Sequence, residues 1–112
     1  MYQIKTFKHG DKQPFWDWLR GLRDIQARAR IRTRIDRLAL GNMGDHRVLD
    51  GGLYELKIDW GPGYRVYFGK AGKADSSTLI LLLCGGDKKT QQQDIKTASI
   101  YLKEYQDAQK DR

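Results

Sequence analysis

The sequence predicts one α+β domain: a mostly antiparallel sheet of about four strands, an N-terminal α-hairpin and a C-terminal helix. Three observations carry this expectation. A chain of 112 residues suits a single core and can build one without metals or disulfides. Its apolar residues alternate at the start, take helical spacing from Phe15, and return to alternation after Gly44. Glycine, proline and asparagine punctuate those changes. Twelve aromatic residues and 39% apolar content argue against disorder.

Residues 2–7 alternate apolar and polar side chains and read as a first strand, which His9-Gly-Asp11 breaks. Asp11 is placed to cap a helix carrying Phe15, Trp16, Leu19 and Leu22, and Gly21 weakens its end. Asp24 is the expected cap of a second helix. Its apolar stripe reads as Ile25, Ala29, Ile35, Leu38 and Ala39, with Arg28, Arg30, Arg32, Arg34 and Arg37 on the remaining face. Residues 41–44 stop it, so the two helices form an α-hairpin. Leu53, Leu56, Ile58 and Trp60 mark a strand with one irregular step, Gly61-Pro-Gly63 a turn, and residues 64–68 a partner strand. Residues 70–76 read as a loop. Residues 78–84 are almost continuously apolar, the pattern of a strand at the buried centre of a sheet. Thr90 and Gln93 have capping-box spacing at the start of a last helix that turns Ile95, Ala98, Leu102 and Tyr105 inward. The polar tail from Gln106 is expected to fray. The order is β-α-α-β-β-β-α, with hairpin connections between the last three strands and the helices over the apolar face. Trp16, Trp18 and Trp60 read as core or half-core residues.

Charge narrows the function. Twenty-one Lys and Arg against fourteen Asp and Glu leave a net +7, most of it in the N-terminal half. Such a balance points to a polyanion, a membrane surface or an acidic partner. One cysteine, Cys84, excludes an internal disulfide and reads as a small buried hydrophobe. Residues 1–10 hold no apolar core of signal-peptide length, and the longest apolar run, residues 79–84, is too short to span a bilayer. A cytoplasmic protein with no membrane partner is expected. No His and Cys set has metal-ligand spacing, no phosphate loop ends in Gly-Lys-Ser/Thr, and no serine sits in a nucleophile elbow. No cofactor or metal is implied.

The most distinctive stretch runs from Gly51 to Asp94. It reads Gly-Gly-Leu-Tyr-Glu-Leu-Lys-Ile-Asp-Trp-Gly-Pro-Gly-Tyr-Arg-Val-Tyr-Phe, a variable loop, then Leu-Leu-Leu-Cys-Gly-Gly-Asp-Lys-Lys-Thr-Gln-Gln-Gln-Asp. It resembles the addiction-module killer group of the RelE/ParE superfamily, close to HigB-like proteins. The likeness extends over nearly the whole chain. It takes in Phe15-Trp-Asp-Trp-Leu19, the arginine-rich second helix and Gly41-Asn-Met-Gly-Asp45. The resemblance implies a RelE-like fold and the toxic half of a type II toxin–antitoxin pair. It also implies partners: a cognate antitoxin of the small helix-turn-helix kind, operator DNA reached through that antitoxin, and the ribosome with its messenger RNA. Many RelE-like and HigB-like members cut messenger RNA in the decoding site, which inhibits translation, whereas ParE-like members poison DNA gyrase. The expected activity is a ribosome-dependent messenger-RNA endonuclease without metal, leaving a 2′,3′-cyclic phosphate. A gyrase inhibitor without chemistry is the alternative, as is a degenerate toxin acting as co-repressor with its antitoxin.

By itself, Arg65 in Tyr64-Arg-Val-Tyr67 reads as a solvated strand residue or an ion-pair partner. The resemblance places an arginine at this position against the scissile phosphate, a role that suits a planar fork of donors. Lys88 and Lys89 are either solvated turn residues or a phosphate clamp beside Arg65, helped by the free amides of the last helix. Lys57 alternates with Leu56 and Ile58, so it points to the sheet's open face and is a further phosphate-binding candidate. The resemblance leads one to expect a histidine or tyrosine near the chain end, where this sequence has Gln93 and Asp94. His46, the one imidazole placed for the role, is then either the base or a surface loop histidine, and Glu55 and Asp87 are weaker candidates that otherwise orient the basic groups. Arg28 and Arg32, on the arginine helix, either bind ribosomal RNA, pair with an acidic antitoxin, or face solvent.

Overall fold

The computed structural model describes residues 1–74 and 77–110. Along the chain lie β1 (Tyr2–Thr6), α1 (Pro14–Gly21), α2 (Ile25–Ala39), β2 (His46–Val48), β3 (Leu53–Ile58), β4 (Tyr64–Ala74), β5 (Ser77–Asp87) and α3 (Gln91–Lys110). The five strands form one sheet in the order β1-β5-β4-β3-β2. The pairs β2–β3, β3–β4 and β4–β5 are antiparallel, while β1 lies parallel to β5. The α+β class is as expected; the sheet is larger than expected and mixed. The extra strand, β2, is three residues long and wholly exposed, so it carries no apolar alternation to announce it.

The helices do not share one face. Phe15 and Leu19 of α1 and Ala27, Ile31 and Leu38 of α2 pack on Leu56, Ile58, Val66, Phe68, Ile80 and Leu82. Ala98 and Leu102 of α3 pack on Leu53, Tyr67, Leu81, Leu83 and Cys84, the opposite side of the same strands. A strand covered on both faces has no polar side, which explains the unbroken apolar run of β5. It also explains the irregular step in β3, where Glu55 and Leu56 are both fully buried. Trp16, Trp18 and Trp60 are half-buried against the α1/α2 core, as expected.

Asp24 caps α2 as expected, its Oδ1 accepting from the amides of Gln26 and Ala27 at 2.9 and 3.2 Å. Asp11 does not cap α1. That helix starts at Pro14, whose fixed φ and missing N–H suit a first helical position, and Gln13 precedes it without a side-chain bond. The buried stripe of α2 is Ala27, Ile31 and Leu38; Ala29 is exposed and Ile25 is 71% exposed. Leu38 is buried and Ile35 packs on the core as expected, so the expected stripe holds in the second half of the helix and fails in the first, where Ala27 and Ile31 replace Ile25 and Ala29. The segment expected as a loop at residues 70–76 continues β4 through an irregularity to Ala74, with Asp75 and Ser76 outside the described residues. The tail does not fray at Gln106, since α3 runs on to Lys110. The Thr90 hydroxyl donates to Asp94 rather than engaging Gln93 in a capping box. Among the described residues, no helix is long and apolar enough to cross a membrane.

Candidate functional site

Strand register places Lys57 opposite Arg65, and Arg65 opposite Gly86. Neighbouring Leu56, Ile58, Tyr64 and Val66 belong to the α1/α2 core, so Lys57 and Arg65 share the α3 face. Arg65 was expected on an open face, yet it is only 7% exposed. Its Nη1 donates to the Tyr64 carbonyl at 3.0 Å, and its Nε is buried without a hydrogen-bond partner. Among the described residues no carboxylate lies within ion-pair distance of it. Buried arginines are almost always paired, so an incompletely satisfied one marks a site rather than a brace.

One step along the strands, Arg47, Glu55, Tyr67 and Cys84 form a second cross-strand row. Glu55 is fully buried, and both its oxygens are taken: Oε1 accepts from Arg47 Nε at 3.1 Å and Oε2 from Gln91 Nε2 at 2.8 Å. It joins β2 and β3 to the first turn of α3, and it does not orient Lys57 or Arg65 directly. The buried Tyr67 hydroxyl makes no hydrogen bond of good geometry. Burial first, and the Glu55 charge second, push this phenol far up. Burial likewise pushes the Cys84 thiol up to about 12. Neither group is an ionised base or nucleophile near neutral pH.

The turn from β5 into α3 closes the site. Asp87 Oδ1 accepts from the amides of Lys89 and Thr90 at 2.8 and 3.3 Å, so Asp87 shapes the segment that carries both lysines. Lys88 and Lys89 are exposed. The Lys88 stem lies over Gly63, where an added Cβ would come within 3.1–3.2 Å of its methylenes. Gly63 has φ +81°, a conformation suited to glycine in the turn before β4. Gly86, the partner of Arg65, is covered by Asp94: a carboxylate oxygen fills the space a Cβ would occupy. Burial raises the Asp94 pKa above the ordinary carboxylate value, the Thr90 hydrogen bond opposes this, and Asp87 adds to it.

The remaining expected residues lie elsewhere. His46 pairs with Leu56, whose side chain belongs to the α1/α2 core. Directly paired residues share a face, so the imidazole is on the opposite side from Arg65. It is exposed, with Nδ1 at 2.8 Å from the Gly44 carbonyl. Arg28 and Arg32 stand on α2, again across the sheet, with Arg32 at 5.9 Å from the Trp16 ring. Arg65 and Lys57 are thus direct strand partners, the Lys88 stem lies over Gly63 two residues before Arg65 with Lys89 next along the turn, and His46, Arg28 and Arg32 do not join them.

Two α2 arginines have architectural partners that sequence reasoning missed. Arg34 donates to the carbonyls of Lys57, Met43 and Asp45. Arg30 stacks on Trp60 at 3.8 Å, and the Trp60 indole donates to Asp24 at 3.1 Å, pinning the β3–β4 turn to the start of α2. An open groove of about 440 Å³ between α2 and β3 is lined in part by Arg30, Arg34 and Arg37. The Asp94–Gly86 contact was also missed. The signal for it was present as two adjacent glycines ahead of a first-turn aspartate.

Fold and site define the class: a small basic α+β protein with a half-hidden cationic site where the sheet meets the start of α3. No protein-family model matches the chain. It is 47% identical over 102 residues to an uncharacterized protein of Haemophilus influenzae, an overlap of 91% of this chain and 94% of that protein. The chain belongs to the family of that protein.

Proposed function

We propose that this protein is the toxin of a type II toxin–antitoxin pair with a RelE-like fold, acting as a ribosome-dependent messenger-RNA endonuclease. One observation carries the reading: Arg65 is a buried, incompletely satisfied guanidinium paired with Lys57 on one side and, on the other, with Gly86, which Asp94 of α3 covers. That arrangement suits a phosphodiester whose negative charge grows as its phosphorus is attacked. Arg65 holds the phosphate, Lys57 adds charge from the next strand, and Lys88 and Lys89 close over it from the turn. Its partners in this reading are the ribosome with its message, a helix-turn-helix antitoxin, and operator DNA through that antitoxin. His46 has no part in the site, being across the sheet. That same placement favours a second reading, a ParE-like gyrase inhibitor that needs no base.

Induced expression should arrest growth, and the adjacent open reading frame should rescue it. Protein synthesis should fall before DNA synthesis, with cuts in translated regions; the reverse order with gyrase-linked breaks would favour the second reading. Arg65→Ala should lower cleavage of ribosome-bound message roughly 100- to 1,000-fold, the usual cost of one preorganised donor. Arg65→Lys should restore only part of it, because a point charge cannot grip two phosphate oxygens as a fork. Melting curves control for folding, since the site is buried. A folded Arg65→Ala protein that cleaves at the wild-type rate removes Arg65 from the site.

A further inference from the structure

We propose that Asp94 is the general base of this site, taking the proton of the ribose 2′-hydroxyl, an inference that rests on the nuclease reading above. Gly86 stands directly opposite Arg65 on the adjacent strand, and the Asp94 carboxylate occupies the space of its missing Cβ. Side chains at paired strand positions begin about 5 Å apart, so the Asp94 carboxylate and the root of the Arg65 side chain occupy neighbouring points on one face. They are nevertheless not an ion pair among the described residues. Each is held by a local partner instead, Asp94 by the Thr90 hydroxyl and Arg65 by the Tyr64 carbonyl. An acceptor seated on Gly86 and an unsatisfied donor on the residue paired with that glycine, each bound to its own neighbour rather than to the other, match a ligand that offers both a hydroxyl and a phosphate. A ribonucleotide offers that pair as its 2′-hydroxyl and 3′-phosphodiester.

The other groups that face this position are unsuited to the role. From β3, Glu55 has both oxygens bonded. From β4, Tyr67 is held protonated by burial, and from β5 so is Cys84. Asp87, also on β5, pairs with Tyr64, whose side chain belongs to the α1/α2 core, so it starts from the opposite face, and its Oδ1 accepts two turn amides. Asp94 keeps one oxygen free of the Thr90 bond, and its burial makes it a stronger base than an open carboxylate.

In the step itself, Asp94 removes the 2′-proton as the 2′-oxygen bonds to phosphorus and the bond from phosphorus to the 5′-oxygen breaks. The products are a 2′,3′-cyclic phosphate and a 5′-alkoxide that takes a proton from water. Asp94 returns its own proton to solvent, so nothing is oxidised or reduced.

The test uses purified full-length protein and ribosome-bound message. Asp94→Asn keeps the Thr90 bond and the packing over Gly86 but cannot take a proton. It should lower kcat by roughly 100-fold or more, the range of general-base contributions, with KM within about twofold and unchanged melting. The wild-type rate should rise with pH through the Asp94 pKa, and the variant should lose that limb. Thr90→Val removes the bond that favours the charged carboxylate, so its acid limb should move to higher pH, a shift that a merely structural role does not produce. An Asp94→Asn protein within threefold of wild type, with the same acid limb, overturns the assignment while the nuclease reading stands. Failure of the wild-type protein to cleave overturns both.

Discussion

Arg34→Met tests whether the arginine helix is a uniform cationic surface or contains a structural member. The Arg34 guanidinium donates to the Lys57 and Met43 carbonyls in half-buried positions and to the exposed Asp45 carbonyl. Burial lowers its pKa, which means the charge is partly desolvated and part of the bond energy is offset. Hydrogen bonds to charged groups contribute about 1.5–3 kcal/mol each. Counting only the two half-buried bonds at the lower end gives about 3 kcal/mol, and the desolvation relieved by methionine reduces this to about 2–3 kcal/mol. For a domain of this size a loss of 1 kcal/mol lowers Tm by about 4 °C, so a drop of about 8–12 °C is expected. Methionine keeps much of the stem's packing, so lost bonds rather than a cavity dominate. Arg37→Met, at the exposed end of the same helix, should cost under about 1 kcal/mol, chiefly its attraction to the helix dipole. Calorimetric melting of both variants decides the matter. Arg34→Met melting within about 2 °C of wild type, or Arg37→Met falling as far, would refute the clamp.

Two further outcomes follow from packing and burial. Gly85→Ala would thrust its Cβ into the Trp18 ring, so it should destabilise by about 3 kcal/mol or more in urea unfolding, within the upper range for overpacking; a loss under 1 kcal/mol would mean the tryptophan moves freely. Cys84, buried and with its thiol pushed up to about 12, should resist alkylation at pH 8 in the native protein and react at once when unfolded, as mass spectrometry will show; rapid native labelling would contradict its burial.

Much of the fold was legible because it is written locally. Asp24 announces its helix with a side chain that bonds amides two and three residues on. Gly61-Pro-Gly63 announces the β3–β4 hairpin, and the spacing of Ile95, Ala98, Leu102 and Tyr105 marks the inner face of α3. That Lys57 and Arg65 share a face was also legible, since alternation along β3 and β4 assigns each residue a side, and the turn after β5 was readable from its glycines.

What the chain alone left open depends on partners distant in sequence. Whether Arg34 faces solvent or the interior depends on where the carbonyls of residues 43, 45 and 57 arrive, and no helical period records that. β1 pairs with β5 across more than seventy residues, so its parallel direction is set by which sheet edge remains free. The two faces of β3 look like one broken pattern until helices are seen on both sides. His46 and Arg65 are separated by the sheet itself, because strand pairing assigns each residue a side. Asp94 reaches the neighbourhood of Arg65 only because Gly86 has no Cβ to exclude it. Residue types and local periods thus set the elements and the chemistry available, while tertiary packing decides which charges meet, since burial and cross-strand pairing are properties of the assembled sheet.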